Sequence, residues 1–337
     1  MNRKRVQLLS LVLAGLMLFG SCSRKNRESG ENAQGGMTAE EIMALKSSPV
    51  EPDLVVDGVA YAKKKDVKTV LFMGIDKTGD LETTDHTIGG QSDTLLLLVV
   101  DGEEKKQTIL QLDRDTMTEV EVLDYYGKPT GFSRVQQLCL SHTYGQGDEK
   151  SCENTVRAVS RLLMNTPVDG YVSLLFEAIP DVNDAVGGVE VTIADDLSSS
   201  DPALALGKTV TLKGNQALTY VRARMSVGDG TNVSRMRRQR EYLSSLGKLI
   251  RGKLKTDSSV INDLYSAAEP FMISDMTLSD LTSVAVEGSG YTDAGILTPS
   301  GEHAEVTYQN GNTHVEFHPD EDSILETVLT LFYRPIS

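Results

Sequence analysis

Residues 92–101 read SDTLLLLVVD, six apolar side chains in a row from Leu95 to Val100 with an aspartate at either side. A run this short, rich in branched residues and without helical spacing, reads as a strand. Its lack of alternation predicts burial on both faces. Two similar runs flank it. KTVLFMGID (68–76) precedes it and ends on Asp76, and QTILQLDRD (107–115) follows the charged turn GEEKK and ends on Arg114 and Asp115. The first connection, DLETTDHTIGGQ, is long and polar with a turn signal at Gly89-Gly90. Three buried strands with acids and an arginine at their ends predict a covered sheet with its chemistry at the strand ends.

Beyond these runs, helices and strands alternate. SCENTVRAVSRLLMNT (151–166) places Val156, Val159, Leu162 and Leu163 on one helical stripe, with Asn154 as its expected cap. DGYVSLLF and GGVEVTIADD read as strands, with Gly187-Gly188 as the turn before the second. GNQALTYVRAR (214–224) reads as a helix or a helix-to-strand passage. SRMRRQREYLSSLGKLIRGKL (234–254) is the clearest helix, with Met236, Leu243, Leu246, Leu249 and Ile250 near one face and a basic end at Gly252. DLYSAAEPFM is helical, Asn310-Gly311 marks a hairpin, and DEDSILETVLTLFY closes the chain as a helix. There are no internal repeats. The expected fold class is α/β: an α-β-α sandwich with a central mixed sheet and helices on both faces.

The chain has 337 residues, 24% of them charged and 39% hydrophobic, a globular composition. Its net charge of -15 argues against a duplex-DNA partner and hence against a transcriptional role. The N-terminus reads MNRKRVQLLSLVLAGLMLFGSC: a basic start, an apolar run from Val6 to Gly20, and small residues before Cys22. The run is shorter than the ~20 residues of a spanning helix and suits a signal segment. FGSC resembles a bacterial lipobox, with Phe19 where Leu is usual, and makes Cys22 the lipidation candidate. An uncleaved signal anchor or a freely secreted form are the alternatives. All three place the body of the protein outside the cytoplasmic membrane. Residues 1–22 are thus the signal or anchor, 23–60 a polar tether, 61–255 the main domain, and 256–337 a segment expected to close that domain. In an oxidising compartment Cys139 and Cys152 are expected to pair. That bridge would close a loop of about 14 residues, worth ~3 kcal/mol in the chain-entropy model. Two free structural thiols are the alternative.

Within this acidic chain, RARMSVGDGTNVSRMRRQR (222–240) gathers Arg222, Arg224, Arg235, Arg237, Arg238 and Arg240. On a helix Arg235, Arg238 and Gln239 share a face, while Arg237 and Arg240 point elsewhere and Arg237 can pair with Glu241. Guanidiniums from two elements can meet over one anion, and their planar, permanent charge suits phosphate. A solvated basic face is the plainer reading of the arginines alone. With Arg114 and Asp115 at a strand end, and with Asp76 and Asp93 as carboxylates for Mg²⁺, a metal–pyrophosphate site becomes coherent. For each aspartate alone, capping a turn is the plainer role.

VLFMGID, GGQSDTLLLLVVD, LQLDRDTM, VNDAVGGVEVTI, LKGNQALTYVRAR and SRMRRQR stand in the order and spacing of the LytR–CpsA–Psr proteins, over about residues 68–253. The arginine motifs are the specific part of this resemblance. It implies a membrane-anchored phosphotransferase of the Gram-positive cell wall. Such an enzyme moves a glycopolymer, such as teichoic acid or capsular polysaccharide, from a polyprenyl-pyrophosphate carrier to a muramic acid hydroxyl of peptidoglycan. An α/β/α sandwich would hold the lipid tail in an apolar tunnel. YVSLLFEAI and YLSSLGKLI are its candidate walls, though core packing explains each as well. By the same resemblance Asp76 and Asp93 would hold Mg²⁺, while Arg114, Arg222, Arg224, Arg235, Arg238 and Gln239 would grip the pyrophosphate. Asp115 would orient Arg114 or help to deprotonate the acceptor. Two positions depart from the family pattern: Gln91, still counted in the pyrophosphate set, where arginine is frequent, and Asn232, where an acid is frequent. Lys77 is a candidate substitute for the missing charge. These departures keep open a binder without turnover, and the same site could hydrolyse a lipid pyrophosphate with water.

Overall fold

The structure is a computed structural model and describes residues 51–77, 89–224, 227–228, 230–254, 257, 259–307, 311 and 313–336. The signal segment, Cys22 and most of the tether lie outside the described residues. Among those described, no helix is long and apolar enough to cross a membrane.

The described chain begins with strands β1 (Leu54–Val56) and β2 (Val59–Lys63). Then come β3 (Val67–Asp76), β4 (Gln91–Asp101), β5 (Lys106–Leu112) and the hairpin β6 (Met117–Leu123) and β7 (Pro129–Gln137). Helix α1 (Glu149–Leu162) leads to β8 (Gly170–Leu175), α2 (Ile179–Ala185), β9 (Glu190–Thr192), β10 (Thr209–Thr211), α3 (Asn215–Arg222) and α4 (Asn232–Leu254). The chain ends with α5 (Val260–Ala268), β11 (Met272–Ser274), α6 (Leu278–Ser289), β12 (Thr292–Leu297), the hairpin β13 (Gly301–Thr307) and β14 (Thr313–Pro319), α7 (Glu321–Phe332) and β15 (Tyr333–Ile336).

Six strands form the central sheet in the order β11-β8-β3-β4-β5-β12. It is mixed: β3 runs parallel to β8 and β5 parallel to β12, while β3–β4, β4–β5 and β8–β11 are antiparallel. The apolar runs supply both faces, because successive side chains alternate across a strand. Leu71, Met73, Ile75, Leu95 and Leu97 pack with Val159 of α1 and Val328 and Leu331 of α7. Val70, Leu96, Leu98 and Val100 pack on the opposite face with Leu281 and Val284 of α6. Each fully buried leucine of this kind is worth roughly 1.5–3 kcal/mol. A second core joins α2, α3, α4 and α5 to β9 and β10. The expected sandwich is therefore present.

The two termini meet, since β15 pairs with β2, and β12 extends the central sheet at one edge. Residues 54–60, read as tether, thus belong to a three-stranded sheet with the end of the chain.

Local corrections have clear causes. Helix α1 begins earlier than its apolar stripe suggests, because Asp148 caps it by accepting from Lys150 N at 2.8 Å. Asn154, the expected cap, lies inside the helix, where its Nδ2 donates to the carbonyls of Glu121 and Ser141. Cys139 and Cys152 are both free and buried, so the expected bridge is absent. They face different partners: Cys139 Sγ lies 2.9 Å from an Arg114 guanidinium nitrogen, and Cys152 Sγ lies 3.6 Å from His142 Nε2.

Candidate functional site

The strand ends create the site. β3 and β5 finish at one end of the sheet, where the antiparallel β4 begins, so Asp76, Gln91 and Arg114 come together there. The β3–β4 register passes from Gly74 opposite Thr94 to Ile75 opposite Ser92 and skips Asp93. Asp93 is thus the extra residue of a β-bulge, a device that re-aims a side chain beside a site.

The arginines arrive from two later elements. Arg222 is the last residue of α3, and Ala223 breaks the helix with ψ 132. Arg224 therefore follows outside the helix. Arg222 is bidentate to Asp76 at 2.7 and 3.1 Å. Arg224 Nη2 lies 3.5 Å from Asp115 Oδ2. Arg114 Nε lies 3.3 Å from Asp93 Oδ1 and 3.6 Å from Asp115 Oδ1. Its Nη2 also donates to Gln91 Oε1. Arg235, at the start of α4, donates to Asp93 Oδ2 at 2.8 Å. Eight of the expected residues, Asp76, Gln91, Asp93, Arg114, Asp115, Arg222, Arg224 and Arg235, thus meet in one cluster.

Two members of the motif do not join it. Arg238 is fully buried and donates to the carbonyls of Tyr220 and Ala223 and to Asp195 Oδ2 at 2.6 Å. It fastens α4 to the end of α3. Gln239 donates to the Val221 carbonyl at 3.2 Å and lines an apolar cavity instead. Arg237 also pairs with Asp195, whereas Glu241, its expected partner, accepts from the Tyr220 hydroxyl at 2.8 Å. Gly228, at φ +59, leaves room for Asp195: a Cβ there would stand 2.8 Å from its carboxylate.

Sequence reading missed Asp113, Asp195, Gln137 and His303. Asp113 stands in the quoted LQLDRD and Asp195 in IADD, so a charge count around the arginines would have flagged both. Gln137 donates to Asp115 Oδ1 at 2.9 Å. His303 reaches Asp113 from the C-terminal hairpin at 3.0 Å, and nothing near it in sequence signals that contact.

Burial shapes the electrostatics. Asp115 is wholly buried, and burial raises its pKa against the pull of Arg114 and Arg224. Burial also lowers the pKa of Arg235, with Asp93 opposing. Asp93 Oδ1, Arg114 Nε, Asp115 Oδ2 and Arg224 Nε are buried atoms that make no hydrogen bond. These groups are paired by charge but not by aligned hydrogen bonds, and a charged ligand would supply the bonds they lack.

Among the described residues no group of three or more His, Cys, Asp or Glu is arranged around a metal position. Asp76 and Asp93 alone would leave most of a coordination sphere to other oxygens. That fits Mg²⁺, which is usually held by one or two carboxylates together with phosphate oxygens and water.

An apolar cavity of ≈ 170 Å³ lies next to this cluster, between the sheet and α4. Phe72, Leu96 and Val172 of the sheet face Tyr242, Leu243 and Leu246 of α4 across it. Both segments named as candidate tunnel walls contribute. The lining includes Gly74 and Thr94, two residues from Asp76 and one from Asp93. Gly74 is required there, since a Cβ would stand 2.6 Å from Phe176 Cε1.

Comparison with known proteins agrees with this architecture. The model of the LytR_cpsA_psr family matches residues 29–330. The polyisoprenyl-teichoic acid–peptidoglycan teichoic acid transferase TagU of Enterococcus faecalis is 28% identical over 244 residues, 70% of this chain and 72% of that one. TagU of Bacillus subtilis is 26% identical over 291 residues, 86% of this chain and 84% of its own. The crystal structure of B. subtilis TagV superposes with a TM-score of 0.57 at 24% identity, covering 80% of this chain and 97% of that one. The chain belongs to the LytR–CpsA–Psr family.

Proposed function

We propose that this protein is a membrane-anchored, extracytoplasmic phosphotransferase. It moves a glycopolymer of the teichoic acid or capsule type from a polyprenyl-pyrophosphate carrier to peptidoglycan, with Mg²⁺ as cofactor. The observation that carries this reading is the adjacency of an arginine–aspartate cluster and an apolar cavity, whose lining reaches Gly74 and Thr94 beside Asp76 and Asp93, a match for a pyrophosphate joined to a lipid. The related TagU proteins are named as transferases of this kind.

The division of labour follows from exposure. The side chains of Arg222 and Arg224 are 38% and 22% exposed, so they meet the incoming pyrophosphate. Arg114 and Arg235 lie behind them and hold Asp93 in place. Asp115 is too deeply buried to touch the acceptor and instead orients Arg114 and Arg224. The lipid would lie along the cavity wall of α4. An acceptor hydroxyl attacks the glycan-side phosphorus, a new O–P bond forms, and the P–O bond to the lipid phosphate breaks. Transfer of this type needs positioning and charge stabilisation more than a strong base. Four guanidiniums, of Arg114, Arg222, Arg224 and Arg235, face three carboxylates, of Asp76, Asp93 and Asp115, while Asp113 pairs with His303. The surplus of one positive charge is less than the negative charge a pyrophosphate carries, which favours a divalent cation as part of the bound state. Bound at Asp76 and Asp93, Mg²⁺ would neutralise charge on the phosphate oxygens.

The test incubates the full chain in detergent with a polyprenyl-pyrophosphate oligosaccharide, peptidoglycan fragments and Mg²⁺, and follows release of polyprenyl phosphate. Release that requires acceptor and Mg²⁺, and fails in Arg222→Ala, is the expected result. Release without acceptor would make the protein a hydrolase. Tight binding with no release across several glycans would make it a binder, the reading that Gln91 and Asn232 motivate.

A further inference from the structure

A line of hydrogen bonds runs from the C-terminal hairpin into the arginine cluster. His303 Nε2 lies 3.0 Å from Asp113 Oδ2. Asn232 Nδ2 donates to Asp113 Oδ1 at 2.6 Å. The other end of the same amide, Asn232 Oδ1, accepts from Arg235 Nε at 3.1 Å and from its Nη2 at 2.6 Å. Arg235 Nη1 is thereby left for Asp93 Oδ2. Asp113 and Asn232 are buried, so each bond lies in a medium where a lost partner is costly.

We infer that His303 is a positioning residue for the anion site, acting through Asp113 and Asn232 to fix the fork of Arg235. The inference rests on the pyrophosphate reading above. An amide has a donor end and an acceptor end, and only its acceptor end can hold a guanidinium. An anionic Asp113 takes the donor end and so directs the acceptor end to Arg235. If Asp113 becomes neutral, the amide loses that direction. His303 keeps Asp113 anionic: burial alone would favour the protonated carboxyl, but the hydrogen bond from His303 and those from the Asp115 N–H and Asn232 hold its pKa low. The hydrogen bond to Asp113 in turn raises the pKa of His303. Asn232 also explains its own departure from the family pattern, since a carboxylate there would stand directly against that of Asp113.

The hairpin is anchored where this role requires. Phe317 N donates to the Asp115 carbonyl at 2.8 Å, and Gln137 Nε2 joins the Val315 carbonyl to Asp115. The charged groups around His303 are Asp113 and Asp115 beyond β5, Arg224 beyond α3, and Glu305 on its own strand. The Phe317 ring packs against it at 4.7 Å. The His303 side chain is 32% exposed, so it exchanges protons with solvent.

The experiment measures binding of geranylgeranyl pyrophosphate with Mg²⁺ to the full chain by calorimetry, from pH 5 to pH 8. It compares wild type, His303→Gln, Asp113→Asn, the double variant and Arg222→Ala. We expect His303→Gln to weaken binding about tenfold at the acid end, the scale of losing an outer partner of a metal or anion site. The ratio should shrink towards pH 8, where Asp113 is ionised with or without a charged His303. In the Asp113→Asn background the His303 substitution should have no further effect. If a His303 variant loses its melting transition, Asn232→Ala breaks the same line and should weaken binding at every pH. A ratio that is independent of pH and persists with Asp113→Asn, or wild-type affinity in His303→Gln and Asn232→Ala alike, overturns the inference while Arg222→Ala still reports the site. If wild type itself does not bind the probe, the pyrophosphate reading falls and the role of His303 falls with it.

Discussion

Arg222 holds Asp76 along one edge of its guanidinium, with Nε 2.7 Å from Oδ2 and Nη2 3.1 Å from Oδ1. The pair joins the end of α3 to the end of β3 across 146 residues of chain. Arg222→Ala should therefore remove an anion contact beside the metal position. Transfer should fall by about 10²-fold, the usual loss for one charge-stabilising donor. Its effect on the melting temperature should be modest, because the Arg222 side chain is partly solvated and Asp76 keeps a further contact. Release of polyprenyl phosphate measures the first effect and calorimetric melting the second. Full transfer by Arg222→Ala would remove Arg222 from the site.

Arg238 carries the opposite expectation. Its guanidinium is sealed between Asp195 and two carbonyls. Arg238→Met should cost about 3–5 kcal/mol of stability through stranded buried polar groups. Urea unfolding measures this. A variant that unfolds like wild type yet cannot bind pyrophosphate would place Arg238 on the ligand instead.

The apolar cavity separates lipid from phosphate recognition. Leu246→Trp should fill part of it and weaken a long-chain polyprenyl pyrophosphate about tenfold, the worth of about two methylenes kept from burial. Affinity for inorganic pyrophosphate should not change. Parallel titrations of the two ligands decide the matter, and equal losses for both would place the lipid elsewhere.

Cys139 and Cys152 should behave as inert thiols. Burial pushes their pKa values up to about 11 and about 12. A thiol reagent at pH 8 should label neither in the folded protein and both in denaturant, without prior reduction. Labelling that appears only after a reductant would restore the disulfide.

His142 makes stability depend on acid. It is buried, its Nδ1 lies 3.0 Å from the Gly89 carbonyl, and burial lowers its pKa from 6.5 to about 4. The unfolded chain then takes up a proton that the folded one refuses. The contribution of His142 is complete above pH 6.5 and is lost as the pH falls towards 4. It amounts to roughly 3 kcal/mol in all, and roughly 2 kcal/mol of it should be gone at pH 5. Urea midpoints at pH 7 and pH 5 should move further in wild type than in His142→Asn. Equal movement would show that another group carries the acid sensitivity.

Some of this protein is decided locally and could be read from the chain. The runs 70–75 and 95–100 are apolar throughout and 109–112 is broken only by Gln111, and a sheet covered on both faces is what buries such runs. Helix α4 follows from its apolar stripe, and the cluster of Asp76, Asp93, Arg114, Arg222 and Arg224 from charged residues placed at strand and helix ends. Tertiary structure decided what depends on partners distant in sequence. Arg235 and Arg238 share a helix face, yet one turns to Asp93 and the other to Asp195, because each guanidinium takes the carboxylate that the fold brings within reach. Cys139 and Cys152 are separated by only a short stretch of chain and still do not pair, because the fold sends one to Arg114 and the other to His142. His303 enters the site across 190 residues, through a hairpin whose docking on Asp115 leaves no local pattern. Periodicity records which face of an element is buried; it does not record which polar group waits on the other side.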